Sequence, residues 1–317
     1  MIPRILIEGY SQTGKTEAGK ILAKIYQTNG PANTGDYILL DWCEANEVNP
    51  VDVTHLWADP EEKDKYRLKL YDFGNKVKAA DPSHYALQCL GESTFVTGVR
   101  TPLEFAATRA YFDACLWITR PGYGPRESDE CMDKNWGDFE IVATNLQELE
   151  RKIRREFIPF LSRPLFYIIG RYRHYNEDGS LNENAMEYER QDEIKHGQLV
   201  YKHGGRPFLP ANIFRPLDNW NPDDTGEQRA KRILDLCDAQ ICRIPRESGG
   251  VLVRDYWWKL SESDSRPSWY KGGALPESRG SRREIMLANS RRLRVIFSRG
   301  EENGIEKRLI QYIGRMS

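Results

Sequence analysis

Eight residues near the start of the chain have the types and spacing to hold a phosphate chain. Gly9-Tyr-Ser-Gln-Thr-Gly14-Lys15-Thr16 fits GxxxxGK[ST] at every fixed position. In such a loop the backbone from Gly9 through Gln12, Thr13 and Gly14 turns its N–H groups toward one anion, and the start of the next helix adds to the field. Lys15 supplies a point charge to the β- and γ-phosphates of ATP, and the Thr16 hydroxyl can ligate Mg²⁺. An ordinary glycine turn is the plain alternative. Further along, Arg120-Pro-Gly-Tyr-Gly-Pro-Arg126 reads as a mobile loop that carries two guanidinium groups.

The motif needs a strand before it and a helix after it, and the pattern supplies both. Residues 2–8 form a short apolar run that suits a buried strand. From Glu17 to Tyr26, Ala18, Ile21, Leu22 and Ile25 fall on one helical face. Residues 37–41 read as a second buried strand, with Ile38, Leu39 and Leu40 as its apolar run. That places Asp41 at a carboxyl end, where open α/β sheets bind ligands. Asp41 and Trp42 could then meet a nucleotide base or sugar; a capping Asp and a core Trp fit equally well. Residues 60–80 suit a charged helix bearing Arg67, a substrate-binding candidate whose default is a solvated side chain. Strands follow at 94–97, 114–119 and 139–143, with helices at 103–112 and 146–157. Strands and helices in alternation imply a parallel sheet with right-handed crossovers.

Bulk properties narrow the class. The chain has 317 residues, enough for two domains, with 39% hydrophobic and 29% charged residues, as in soluble proteins. A net charge of -1 gives no basic field for nucleic acid, so no direct nucleic-acid partner is expected. No apolar run is long enough to span a membrane, and no leader precedes the first strand. Cysteines at 43, 89, 115, 131, 237 and 242 form no CxxC pair, which suits free thiols in a reducing cytoplasm.

The first half, about residues 1–157, resembles the deoxynucleoside monophosphate kinases of phages. The likeness rests on the phosphate loop, on Val99-Arg100-Thr-Pro-Leu-Glu104, on the arginine loop, and on Asp138, Ile141 and Asn145 before a helix. It implies that Arg100 contacts the substrate phosphate and that Arg120 and Arg126 close over the transferring phosphoryl group. Relatives place Asp before the Val-Arg pair, where this chain has Gly98. If that Asp helps hold Mg²⁺, another carboxylate serves here, with Glu8 and Asp41 as candidates.

Two prolines in 157–164 mark a boundary. A second strand-first unit then opens at Leu165. A helix follows over 185–203, stopped by Gly204, then a short strand at 206–210. A helix at 227–236 and strands at 239–244 and 293–297 complete it. Residues 245–277 interrupt, with Trp257, Trp258, Trp269 and Tyr270 among Gly, Ser and Pro. That insertion suits an ordered lid, or core packing of the same aromatics. This half resembles the nucleoside 2-deoxyribosyltransferase superfamily, which includes the deoxynucleoside 5'-monophosphate N-glycosidases. The matching residues are Tyr167, Gly170 and Arg173, then Cys237-Asp238-Ala239, then Ser278, Gly280 and Glu284.

The resemblance implies that Glu284 is the nucleophile at the sugar anomeric carbon and that Tyr167, read at its strand's carboxyl end, orients it. A carboxylate can form a deoxyribosyl ester and yield it to a base or to water. Ser278 and Gly280 open a helix whose backbone could hold a 5'-phosphate, with Arg173 adding charge. The alternative for Glu284 is an exposed helix residue paired with Arg282, Arg283 or Arg291. Those relatives carry an acid eight positions before the Cys-Asp-Ala aspartate, where this chain has Ala230. Without it, departure of the base would be slowed or turnover lost.

The expectation is therefore two tandem α/β domains with mainly parallel sheets. Residues 1–160 form a P-loop nucleotide kinase fold and 161–317 a deoxyribosyltransferase-like, flavodoxin-like fold. The first transfers the ATP γ-phosphoryl to a deoxynucleoside monophosphate with Mg²⁺; the second acts on or senses a similar deoxynucleotide. Small nucleotides are the partners, a homo-oligomer could form through the second domain, and the location is cytoplasmic, in the host if phage-encoded. The rival is a non-catalytic nucleotide sensor, toward which Gly98 and Ala230 lean.

Overall fold

A computed structural model describes residues 2–54, 60–126, 129, 131–169, 183–210, 213, 237, 239–243, 294–298 and 310. The chain divides into two compact units, Met1–Ser162 and Arg163–Ser317.

The first unit is built on five parallel strands. β1 (Ile5–Glu8) lies at the centre, completely buried along its length. It pairs with β3 (Phe95–Thr97) on one side and β4 (Ala114–Thr119) on the other. β2 (Ala32–Asn33) extends the sheet beyond β3, and β5 (Phe139–Val142) beyond β4. The order is β2-β3-β1-β4-β5. Connections after β1 run to one side and then cross to the other, so a switch point lies at the carboxyl end of β1, where α/β sheets leave a crevice.

The helix after β1, α1 (Lys15–Tyr26), buries Ala18, Ile21, Leu22 and Ala23. They join Ile5, Ile7, Phe95, Leu116 and Ile118 of the sheet in one core. α7 (Leu146–Lys152), a π-helical turn (Ile153–Phe157) and α8 (Ile158–Leu161) close that core with Leu149, Ile153, Phe157 and Phe160. The expected boundary at 157–164 shortens accordingly, because α7, the π-helical turn and α8 run on without a break to Leu161, with Pro159 inside that stretch.

One expected strand is a helix. Residues 37–41 belong to α2 (Thr34–Ala45). Asn33 caps it, its side chain accepting from Gly35 N at 2.9 Å. Ile38, Leu39 and Cys43 bury one helical face. The strand expected there is the two-residue β2 just before the cap. α2 packs with α3 (Pro50–Thr54), α4 (Pro60–Ala80) and α5 (His84–Glu92) around Ile38, Leu39, Val53, Leu70 and Tyr85. The expected helix 103–112 is α6 (Pro102–Thr108) followed by a 3₁₀ turn (Arg109–Tyr111).

The second unit holds β6 (Leu165–Ile169), α9 (Glu183–Lys202), β7 (Arg206–Phe208), β8 (Ala239–Arg243) and β9 (Arg294–Ser298). Its sheet, β7-β6-β8-β9, is parallel at every pairing. Gly204, with φ of 86°, ends α9 as its position suggested. Among the described residues no helix is long and apolar enough to cross a membrane.

Candidate active site

The Gly9–Thr16 loop leaves the central strand and wraps back to start α1. Gly9, Gln12 and Gly14 have φ of 144°, 65° and 103°. At Gly9 only glycine fits: a Cβ there would stand 2.3 Å from the Ile118 carbonyl oxygen on β4. Thr13 Oγ1 donates to Tyr10 O at 2.9 Å, and the Tyr10 ring meets Trp117 edge-on at 5.4 Å. Lys15 Nζ donates to Gly9 O at 2.5 Å and Tyr10 O at 2.7 Å, so the ammonium lies across the loop. Thr16 is exposed at the helix start.

Two buried carboxyl groups stand beside the loop. Glu8, the last residue of β1, is completely buried, and Val99 N donates to its Oε1 at 3.2 Å. Burial pushes its pKa up to about 8; Lys15 and Arg100 pull it down, and Glu104 pushes it up again. At neutral pH Glu8 is therefore largely protonated and able to donate a hydrogen bond. Glu104 Oε2 accepts from Lys78 Nζ and from Arg100 N, both at 3.0 Å. Glu8 Oε2 and Glu104 Oε1 are buried with no hydrogen-bond partner among the described residues. Consecutive amides, of Val99 and Arg100, thus hold the two acids at the carboxyl end of β3.

A third acid reaches the loop from the connection between β4 and β5. Asp129 is completely buried; its Oδ2 accepts from Ser11 N at 2.8 Å, and its Oδ1 is paired with the Arg100 guanidinium. Asp129 N donates to Arg126 O at 2.7 Å, which ties the arginine loop to this carboxylate.

Gly98 has φ of 101°, and a Cβ there would meet Thr34 Oγ1 at 2.5 Å and Asn33 Oδ1 at 2.6 Å. Thr34 Oγ1 also donates to Gly98 O at 2.8 Å. This backbone has no room for the aspartate side chain that the sequence comparison raised at this position. Glu8 is the nearer of the two substitute carboxylates. Asp41 lies on α2 rather than at a strand end, and its carboxylate faces Tyr85. That hydroxyl is buried without a partner in full hydrogen-bond geometry, and it is raised by burial first and Asp41 second. Trp42 meets Tyr66 edge-on at 6.0 Å in the helical cluster, so it packs as core.

The structure thus brings Lys15, Arg100, Glu8, Glu104 and Asp129 together. Arg120 stays apart in its own loop, its guanidinium 4.5 Å from the Tyr123 ring centre. Arg67 lies on α4. A cavity of about 660 Å³, lined by Pro31, Asp36, Tyr37 and Glu92 among others, opens near the residues that precede β2 and β3, away from the loop. Among the described residues no three His, Cys, Asp or Glu side chains are placed to hold a metal ion.

Lys78 and Asp129 are absent from the sequence expectations, and Glu104 enters them only as the last residue of the Val99–Glu104 motif, with no role of its own. Thr101-Pro-Leu-Glu104 carries a capping-box pattern, and Thr101 does accept from Glu104 N at 3.2 Å. Its carboxylate, however, turns to Lys78 and Arg100. Nothing local marks Asp129 within its acidic run.

In the second unit Tyr167 is completely buried and stacks on Phe208 at 5.9 Å. It is the central residue of β6, not its carboxyl end, because the strand runs on to Ile169. Gly170, Arg173, Ala230, Ser278, Gly280, Glu284 and the 245–277 insertion lie outside the described residues.

Comparison with family models, with curated proteins and with solved structures finds no match for this chain.

Proposed function

We propose that the first unit is a P-loop phosphotransferase that moves the γ-phosphoryl of ATP to a deoxynucleoside monophosphate. One observation carries the reading: a glycine loop with three positive-φ residues joins the central strand to α1 at the switch point, and one of its amides already holds an oxyanion, the Asp129 carboxylate. ATP with Mg²⁺ supplies the phosphoryl group and shields its charge. The chain's part is positioning. Loop amides beyond Ser11 and the start of α1 hold the donor phosphates, with Lys15 turning from its own loop carbonyls to them and Thr16 at the helix start as metal ligand. Arg100 holds the acceptor phosphate, and Arg120 and Arg126 close from the loop after β4. Protonated Glu8 puts no negative charge beside two phosphates.

For the second unit the proposal is a deoxyribosyltransferase-like or N-glycosidase-like domain acting on, or sensing, a related deoxynucleotide, with Glu284 as nucleophile. Its parallel four-stranded sheet supports an α/β fold of that general kind. In this proposal the chain works on small nucleotides in the cytoplasm and turns over or screens a nucleotide before phosphorylation. Gly98, with no room for a carboxylate, favours a second reading of the first unit as a sensor that binds ATP without turnover. ADP release from ATP, measured with a panel of deoxynucleoside monophosphates, separates the two. Turnover with one of them supports the kinase; ATP binding without turnover supports the sensor.

A further inference from the structure

We infer that Asp129 is a built-in competitor of the acceptor nucleotide. Its carboxylate fills an oxyanion subsite made by the Ser11 amide and the Arg100 guanidinium, and a phosphate monoester enters by displacing it. The inference rests on the kinase reading and adds a subsite, a displaced group and a basis for selectivity.

The geometry defines the subsite. One amide donor at 2.8 Å and one guanidinium converge on the two oxygens of a single carboxylate. An amide and a guanidinium on one oxyanion are the donor set that phosphate esters also take. The two donors come from different elements, the loop after β1 and the segment after β3, so the subsite belongs to the folded sheet and not to a local turn. Asp129 comes from a third, the connection between β4 and β5.

Charge decides who wins the subsite. A phosphate monoester brings about two negative charges at neutral pH where the carboxylate brings one. Lys15 and Arg100 both act electrostatically at Glu8, so two cations stand close by. Glu8 is the acid that could repel the newcomer, and burial keeps it protonated near neutral pH. Removing Asp129 without replacement would leave a part-buried guanidinium without its counter-charge, which is unfavourable. An uncharged deoxynucleoside cannot supply the replacement, so the pair discriminates monophosphate from nucleoside.

Gly122, with φ of 85°, and Gly124 precede Asp129 on the connection, and among the described residues nothing stands where a Cβ of either would be. Asp129 N donates to Arg126 O and Met132 N to Asp129 O, which ties Arg126 and Met132 to Asp129. Its departure would carry Arg126 along, coupling acceptor entry to the movement of an arginine the kinase reading needs.

The test uses the full chain and its Asp129→Asn and Asp129→Ala forms. Binding of the four common deoxynucleoside monophosphates and of the matching deoxynucleosides is measured by calorimetry at pH 7. Loss of a charged competitor should tighten monophosphate binding about tenfold or more, with deoxynucleoside binding unchanged. A second measurement needs no variant: carbodiimide labelling of carboxyl groups, mapped by peptide mass spectrometry. Asp129, fully buried at rest, should gain label when a monophosphate is added and gain none with the deoxynucleoside. Monophosphate affinity that is equal or weaker in both variants, or Asp129 that stays unlabelled in the monophosphate complex, overturns the proposal and leaves the kinase reading standing. Monophosphates that bind neither parent nor variant overturn both.

Discussion

Glu8→Gln removes one proton-binding site while keeping the shape of the side chain. The carboxyl is completely buried, and its pKa rises from 4.5 to about 8, with burial as the main cause. In the unfolded chain the group ionises near 4.5. Between there and about 8 the folded protein keeps a proton that the unfolded chain has released. The folded state then binds more protons, so stability falls as pH rises. The contribution is fully present below about pH 4.5, declines by at most about 1.4 kcal/mol per pH unit, and is gone above about pH 8. Across pH 5–8 that amounts to an upper bound of roughly 4 kcal/mol, reduced to the extent that the site relaxes around the charge. Urea unfolding of parent and Glu8→Gln at pH 5, 6, 7 and 8 reads it out, following the transition of the first unit. The parent should lose stability relative to the variant at each step. Parallel pH dependence in the two proteins would refute the assignment of Glu8 as a buried neutral acid. Bound nucleotide should weaken above pH 8 in the parent alone, because Glu8 then puts a negative charge beside the phosphates.

Lys15→Ala should cut phosphoryl transfer at least a hundredfold, roughly 3 kcal/mol of transition-state stabilisation, in the ADP-release assay; near-full activity would exclude the phosphate-loop role. Gly98→Ala should destabilise the first unit by about 1–3 kcal/mol in thermal or urea unfolding, because the left-handed backbone and the Thr34 and Asn33 contacts both oppose a Cβ. For Glu284→Gln the expectation is loss of base release from deoxynucleotides and of any covalent deoxyribosyl adduct seen by intact-protein mass spectrometry. Kinase activity should stay within a fewfold of the parent, and base release that survives the change removes Glu284 as nucleophile.

Of the strands of the first unit, β1, β3, β4 and β5 were legible because each is a short apolar run bounded by glycine, proline or polar residues, as at 114–119; the two-residue β2 was not. The loop was legible because its glycines mark the positive-φ positions at Gly9 and Gly14. Residues 37–41 were not. Ile38, Leu39 and Leu40 suit a buried strand as well as a helix face, and the choice was made by the Asn33 cap four residues before Tyr37. The acids of the site were legible only one at a time. Glu8 shows at the motif's edge, but its neutral state depends on burial by β3, β4 and Val99. Glu104 meets Lys78 across a helix boundary, and Asp129 meets Ser11 across most of the unit. Such meetings are decided by the order of strands, which no local pattern records.

That order also has a consequence for how the chain is made. The central strand leaves the ribosome well before its partners, because Ile5 pairs with Phe95 and Ala114. Until β3 and β4 have been synthesised, Ile5, Leu6 and Ile7 have no sheet to join. For that interval a bare apolar strand with both edges open is available to other chains, the condition under which nascent proteins aggregate or recruit chaperones. Because every pairing in this sheet is parallel and distant in sequence, closing it is slow compared with forming α1. Yield of folded protein should therefore depend on translation rate and temperature while the stretch from β1 to Thr119, where β4 ends, is made.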